Sequence, residues 1–241
     1  MKSNINKKQI QLFLFLLSPP LIWWLFASFV GGKVKENQSQ GIHPTLAVIS
    51  DAPAPLFSFI NQDKKTITNE TVKGKIYIVN FMFTNCQTAS CSRMNLHMIK
   101  LQKKLEKYNK KYGDIIMFLS HTVDPKHDTP KVLKKYKQKA EKVSLGADLS
   151  NWHFLTGDQK KIYEIADSYL CVAQEIDNKQ DGGYIHSDFF VLVDDKGRIR
   201  SGFDSQGNPR AVYDGSSGAS IKALEKDISK ILIPEINRNK Y

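Results

Sequence analysis

The sequence predicts an α/β protein, a central mixed sheet flanked by helices, and three observations predict it. Two strand-length runs dominated by apolar residues, Ile76–Phe83 (IYIVNFMF) and Asp114–Thr122 (DIIMFLSHT), have the character of strands covered on both faces. Segments with apolar residues at helical spacing alternate with them. The resulting order, β, α, β, α, β, α, β-hairpin, α, describes a sheet lying between helical layers.

The elements follow in chain order. Residues 1–9 carry Lys2, Lys7 and Lys8 with no acidic residue, and Leu12–Val30 then runs without a charge. Nineteen residues at the helical rise span roughly 28 Å, against a hydrocarbon thickness of about 30 Å. Residues 10–30 are therefore read as a transmembrane anchor, kinked at Pro19-Pro20, with Trp23 and Trp24 near one interface. The basic flank keeps residues 1–9 in the cytoplasm. The expectation is a single-pass protein of the cell inner membrane with its working domain on the periplasmic, outer face. A cleaved signal peptide is the rival reading, but Ala27-Ser28-Phe29 is a poor processing site and the apolar stretch is long. No cysteine near the start could carry a lipid. Residues 31–50, beginning GGKVKENQSQ, read as a flexible polar tether, and 51–241 as the globular domain.

Within the domain, Pro53, Pro55 and Phe57–Ile60 suggest an extended lead into a short hairpin around Asn61–Lys65. After the first buried strand, Met94, Met98, Leu101 and Leu105 predict a helix from about Ser92 to Tyr112. After the second, Asp128-Thr129-Pro130 opens another helix, with Asp128 as N-cap and Pro130 at its first turn. Trp152–Leu155 is a short strand, and Thr156 or Asp158 caps a helix over Lys160–Tyr169. Phe189–Val193 and Arg198–Phe203 form a hairpin with Gly197 at the left-handed position, and Ile221–Ile231 closes the fold.

The formal charge of +11 and pI near 9.4 raise nucleic acid as a partner. The lysines are instead spread at helical spacing, as on a solvated helix face, and no nucleic-acid motif accompanies them, so no nucleic-acid partner is expected. An anionic membrane surface stays compatible with the charge. Three cysteines are too few for a disulfide-built scaffold. Cys86 and Cys91 lie close together, while Cys171 sits in an apolar stretch and reads as a buried thiol.

Cys86 falls in the strand-to-helix loop and Cys91 near the first helical turn, where backbone N–H groups and the dipole favour a thiolate. Thiolates serve both soft-metal binding and redox attack. Residues five apart on one helix differ by about 140° around the axis, so the pair converges only if Gln87–Ser90 is loop, with Ser90 as N-cap.

These residues carry a resemblance. FMFTNC…CSRMNLHM, SHTVDPKHDTPKVLKKY, NWHFLTGDQKKIYEIA, IHSDFFVLVDDKGRIRSGFD and VYDGSS together resemble the Sco/SenC family of copper chaperones for cytochrome c oxidase assembly, over nearly all of Asp51–Leu232. The resemblance implies a thioredoxin-like fold, copper as Cu(I) or Cu(II), and metal ligands at Cys86, Cys91 and His186. It also implies delivery of copper to the copper-site subunit of a cytochrome c oxidase, without turnover. Two thiolates plus an imidazole suit that metal. Two departures are visible. Four residues separate the cysteines where the family has three, with no proline after either. Ile185 replaces the family's aspartate before the histidine, which removes a carboxylate able to orient the imidazole.

The alternative is a thiol–disulfide oxidoreductase working through the redox-active pair Cys86 and Cys91. Oxidoreductases of thioredoxin type place a cis-proline beside their cysteines, and this chain has no proline between Pro130 and Pro209. A peroxidase of the same fold finds Thr84 and Arg93 but lacks its proline. Of the remaining histidines, His121 is an outer-shell candidate, His97 is read as solvent-facing, and His127 and His153 as turn and strand positions. Asp124 and Asp128 are read as loop caps.

Overall fold

A computed structural model describes residues 46–50, 55–177 and 182–238. The anchor predicted for 10–30 lies outside the described residues, and among those described no helix is long and apolar enough to cross a membrane. Strands β1 (Ala47–Val48), β2 (Ser58–Asn61) and β3 (Thr66–Thr68) precede a helical turn, α1 (Asn69–Val72), and the central strand β4 (Ile76–Met82). Then come α2 (Ala89–Tyr112), β5 (Ile116–Thr122), α3 (Pro130–Lys142), β6 (Trp152–Thr156) and α4 (Gln159–Ser168). A ribbon of β7 (Ala173–Glu175) and β8 (Tyr184–His186) leads to β9 (Phe189–Val193), β10 (Ile199–Ser201), β11 (Tyr213–Asp214) and α5 (Gly218–Arg238).

The main sheet runs β1-β10-β9-β4-β5-β6-β2-β3, with β11 also on β9. Strands β4, β5 and β6 are parallel, while β9 joins β4 antiparallel, so the sheet is mixed as expected. Every residue of β4 and β5 is buried. Ile76 and Ile78 feed one apolar layer, and Tyr77, Val79 and Phe81 the other. That two-sided cover explains why the run shows no polar alternation.

Topology sorts the helices. The crossovers through α2 and α3 advance the same way along the sheet, so one hand of connection puts both on one face. There Met98, Leu101, Leu133, Leu224 and Ile228 share a core, joined by Leu46 just ahead of β1. The path from β6 returns to the far side of β4, and α4 packs on the opposite face through Ile162, Ile165 and Ala166.

Several boundaries differ from the sequence reading. Pairing of β1 with β10 brings residues ahead of Asp51 into the sheet. Helix α2 begins at Ala89, a turn earlier than Ser92, and Thr88 caps it in place of Ser90. Thr129, not Asp128, is the N-cap residue of α3, while Pro130 holds the first-turn position expected of it. Asp158 caps α4 by accepting from the Lys161 N–H at 3.0 Å. The β7–β8 ribbon carries too few apolar residues to give a periodic signal.

Candidate metal centre

The cysteine segment leaves the carboxyl end of β4, where ligands sit in open α/β sheets. Thr84 is held by Asp128: its backbone N–H donates to the carboxylate at 2.9 Å, and its hydroxyl donates to the other oxygen. Thr88 ends the loop. Its hydroxyl oxygen accepts the Cys91 N–H at 3.3 Å and lies 3.3 and 3.5 Å from the sulfurs of Cys91 and Cys86. Cys91 therefore occupies the first turn of α2 as expected, with Cys86 just outside the helix. The two are joined as a disulfide, Cα atoms 6.3 Å apart. Convergence required only Cys86 to lie off the helix, so Ala89 and Ser90 can be helical without splaying the sulfurs.

The histidine arrives from the other direction. Because β9 is antiparallel to β4, its start lies at the end of β4. The register pairs Tyr77 with Val193 and Val79 with Val191, which carried along the ladder sets Ser187 level with Phe83. His186 packs edge-on against Phe83, with ring centroids 5.8 Å apart, and Tyr184 tilts against the same ring. Gly182, at φ +85°, closes over Phe83 so tightly that a Cβ would lie 2.6 Å from the ring; only glycine suits both constraints.

The Nδ1 of His186 lies 3.1 Å from the Ser187 carbonyl. A carbonyl only accepts, so Nδ1 carries the proton and Nε2 presents its lone pair 3.7 Å from the Cys91 sulfur. The backbone carbonyl thereby orients the imidazole. Burial lowers the His186 pKa, opposed by the Ser187 carbonyl and by Asp188, which favours the neutral imidazole. The carboxylate of Asp188 also accepts from the Ser90 hydroxyl, linking the histidine strand to the first turn of α2. One ligand atom each from Cys86, Cys91 and His186 lies within 4.8 Å of the others.

One loop serves both segments. Asp128, fully buried, also accepts from Thr122 and has the His127 ring nitrogen 2.8 Å away. Asp124 accepts the Tyr184 hydroxyl at 2.9 Å and so ties the histidine ribbon to the end of β5. These residues do more than cap a loop. Thr88, Asp188 and Tyr184 were not singled out from sequence, although a threonine three residues ahead of Cys91 is a recognisable cap signal.

Other candidates lie elsewhere. His121 is sealed among Phe57, Phe59 and Phe81, and burial, only partly opposed by the Asn80 backbone, pushes its pKa down to about 3. It does not reach the sulfurs as part of the three-ligand group. His97 does not face solvent; its Nδ1 lies 2.8 Å from the Gly215 carbonyl. His153 contacts Asn61. Cys171 is buried, its thiol pushed up to about 12 by that burial, as a structural thiol should be.

Residues 50–218 match the SCO1/SenC family. The SCO1 protein homolog of Bacillus subtilis is 32% identical over 200 residues, covering 82% of this chain and 90% of that protein. A SCO1/SenC family lipoprotein from Bacillus anthracis superposes with a TM-score of 0.59 at 30% identity, covering 75% of this chain and 95% of that one. BsSco, described as a member of the Sco family of cytochrome c oxidase assembly proteins with a disulfide switch, gives 0.58 at 31%, covering 74% and 92%. Copper-bound ScoI of Arabidopsis thaliana shares the fold at 21% identity and a TM-score of 0.54, covering 74% and 99%. With its folded domain matched almost from end to end, this chain belongs to the SCO1/SenC family and has that family's thioredoxin-like fold.

Proposed function

We propose that this protein is a membrane-anchored copper carrier. It holds copper through Cys86, Cys91 and His186 on the periplasmic face of the inner membrane and delivers it to the copper-site subunit of a cytochrome c oxidase. The observation that carries the reading is the meeting of two sulfurs and one imidazole nitrogen within 4.8 Å, from segments ninety-five residues apart. Soft thiolates with an imidazole match Cu(I), and Cu(II) with adjustment. Known members of the family hold copper or are described as oxidase assembly proteins. The anchor reading rests on the uncharged stretch Leu12–Val30.

In the disulfide form the sulfurs are not thiolates. Loading therefore needs two electrons and two protons from a dithiol donor, which itself becomes a disulfide. Half-burial of all three side chains leaves the donors reachable, beside exposed Ile185 and Val172 where a partner could dock. The test is copper titration of the reduced protein with absorption and EPR spectra. One ion per chain is expected, with the site lost in Cys86→Ser and the imidazole signal lost in His186→Ala. Unchanged stoichiometry and affinity in both variants would rule out this ligand set.

The disulfide itself favours a second reading, a reductase of partner cysteines. In that chemistry the Cys86 thiolate attacks a partner disulfide, one partner sulfur leaves as thiolate, and Cys91 then resolves the mixed disulfide. A Cys91→Ser variant should trap the partner on Cys86; no trapped species in cells would eliminate it.

A further inference from the structure

The charge of this domain is gathered on one side of the sheet. Helix α2 holds seven Lys and Arg against one Glu, and α3 six lysines against one Glu. The surplus of eleven exceeds the formal charge of +7 that residues 46–241 carry in all, so the remainder of the domain is slightly acidic. On the opposite face α4 is balanced, with Lys160 and Lys161 against Glu164 and Asp167. The single acid of α2 is already engaged: Glu106 accepts the Asp148 N–H at 3.0 Å and pairs with Lys103 and Lys110.

At the far ends of these helices the basic surface meets an apolar tip. The loop after α3 exposes Val143 at 60% and Leu145 at 93%, the latter at φ 53°, a left-handed conformation that leucine seldom adopts. Lys103 donates to the Gly146 carbonyl at 3.0 Å, so α2 pins this loop in place. Exposed Lys107 and Lys111 follow Lys103 by one and two turns along α2, exposed Lys139 and Lys142 lie in the last turn of α3 just ahead of Val143, and no acidic partner is found for these four among the described residues. At the helical rise, Lys107 and Lys111 lie roughly 24–30 Å along α2 from Cys91, at the end away from the metal centre.

We propose that this tip and its lysines rest on the anionic bilayer that holds the chain's own anchor. The inference builds on the anchor of the proposed function. Exposed aliphatic side chains flanked by lysines are what an anionic lipid surface takes up, the apolar groups entering between headgroups and the ammonium groups meeting phosphates. An acidic protein or nucleic acid would match the lysines but leave Leu145 unexplained. The polar stretch 31–45 is long enough: fifteen residues span roughly 20 Å on average and about 50 Å when extended. Docked this way, the domain turns its metal centre away from the lipid and toward partners in the aqueous space.

The test uses the full chain in vesicles of neutral phosphatidylcholine, or of phosphatidylcholine with phosphatidylglycerol, footprinted by lysine acylation and mass spectrometry. Labelling of Lys107, Lys111, Lys139 and Lys142 should fall at least threefold in the anionic vesicles, recover at high salt, and recover in Val143→Glu/Leu145→Glu. Lys160 and Lys161 should label equally in both. Equal labelling of the tip lysines in both lipids would overturn the proposal, as would equal protection in neutral vesicles. Flotation with neutral vesicles reports on the anchor alone. A chain that floats only with anionic vesicles keeps the surface and loses the anchor, and one that floats with neither loses both.

Discussion

The two segments that build the candidate metal centre differ in how they are held. The cysteine segment, Thr84–Cys91, is organised locally, by the end of β4, the Thr88 cap and the first turn of α2. The histidine segment, Tyr184–Asp188, is short and half-exposed; it pairs with β7 and is fixed toward the sulfurs by distant residues, Phe83, Asp124 and Ser90. Yet both are tied to the same loop after β5, the first through Asp128 and the second through Asp124. Sulfur and imidazole are thus positioned against one scaffold, and the spacing between them is a property of that loop as much as of the ligands.

The sharpest way to break this arrangement is Asp128→Ala. It leaves the Thr84 N–H and the hydroxyls of Thr84 and Thr122 without their acceptor in a buried place, for a loss of about 3 kcal/mol in unfolding free energy. Denaturant unfolding reads the stability, and thiol reactivity of the reduced pair should rise. An unaltered midpoint would mean that the loop does not anchor the cysteine segment.

A smaller effect comes from His121 of β5 and His153 of β6. The buried His121 keeps its proton off down to about pH 3, whereas in the unfolded chain it takes one up near 6.5. Stability therefore falls as pH drops below 6.5, and the dependence attributable to His121 ends near pH 3; at pH 5 its share is roughly 2 kcal/mol. His153, lowered to about 4 by burial, acts in the same direction. Replacing His121 by Phe should flatten the slope between pH 6.5 and 4 relative to wild type while leaving copper binding intact. Identical slopes, measured by thermal unfolding across pH, would dismiss this account.

Least disruptive is Tyr184→Phe, which removes one hydrogen bond to Asp124 and should cost about 1 kcal/mol. Its informative consequence is on the metal: the nitrogen signature of a Cu(II) complex should weaken, with affinity for Cu(I) falling no more than about tenfold, as for loss of an outer partner. A larger loss of Cu(I) binding would mean that the two segments are less separable than their contacts suggest.

Legibility from sequence followed the same division. Strands β4 and β5, buried on both faces, and the helices α2, α3 and α4 carried strong periodic signals, and the cysteine pair lay within one such junction. The β7–β8 ribbon did not, because three-residue strands with partly exposed side chains have no period to read. Asp128 reads as a cap because a carboxylate ahead of Pro130 suits a helix start, and nothing local says that Thr84, forty-four residues away, claims it first. His121 was drawn toward the site by its place at a strand end, while its enclosure by Phe57, Phe59 and Phe81 depends on packing.

By itself, then, the amino-acid sequence determined the alternation of strands and helices, the thiol pair at a helix start, and the uneven placement of lysines along α2 and α3. Those features are local, set by backbone periodicity, capping and side-chain chemistry within a few turns. Only the tertiary structure decided that His186 points Nε2 at Cys91, that one loop braces both segments of the candidate site, and that α2 and α3 lie on the same side of the sheet. Each depends on the antiparallel placement of β9 or the direction of the crossovers, and chain segments distant in sequence acquire such relations only when the sheet is assembled.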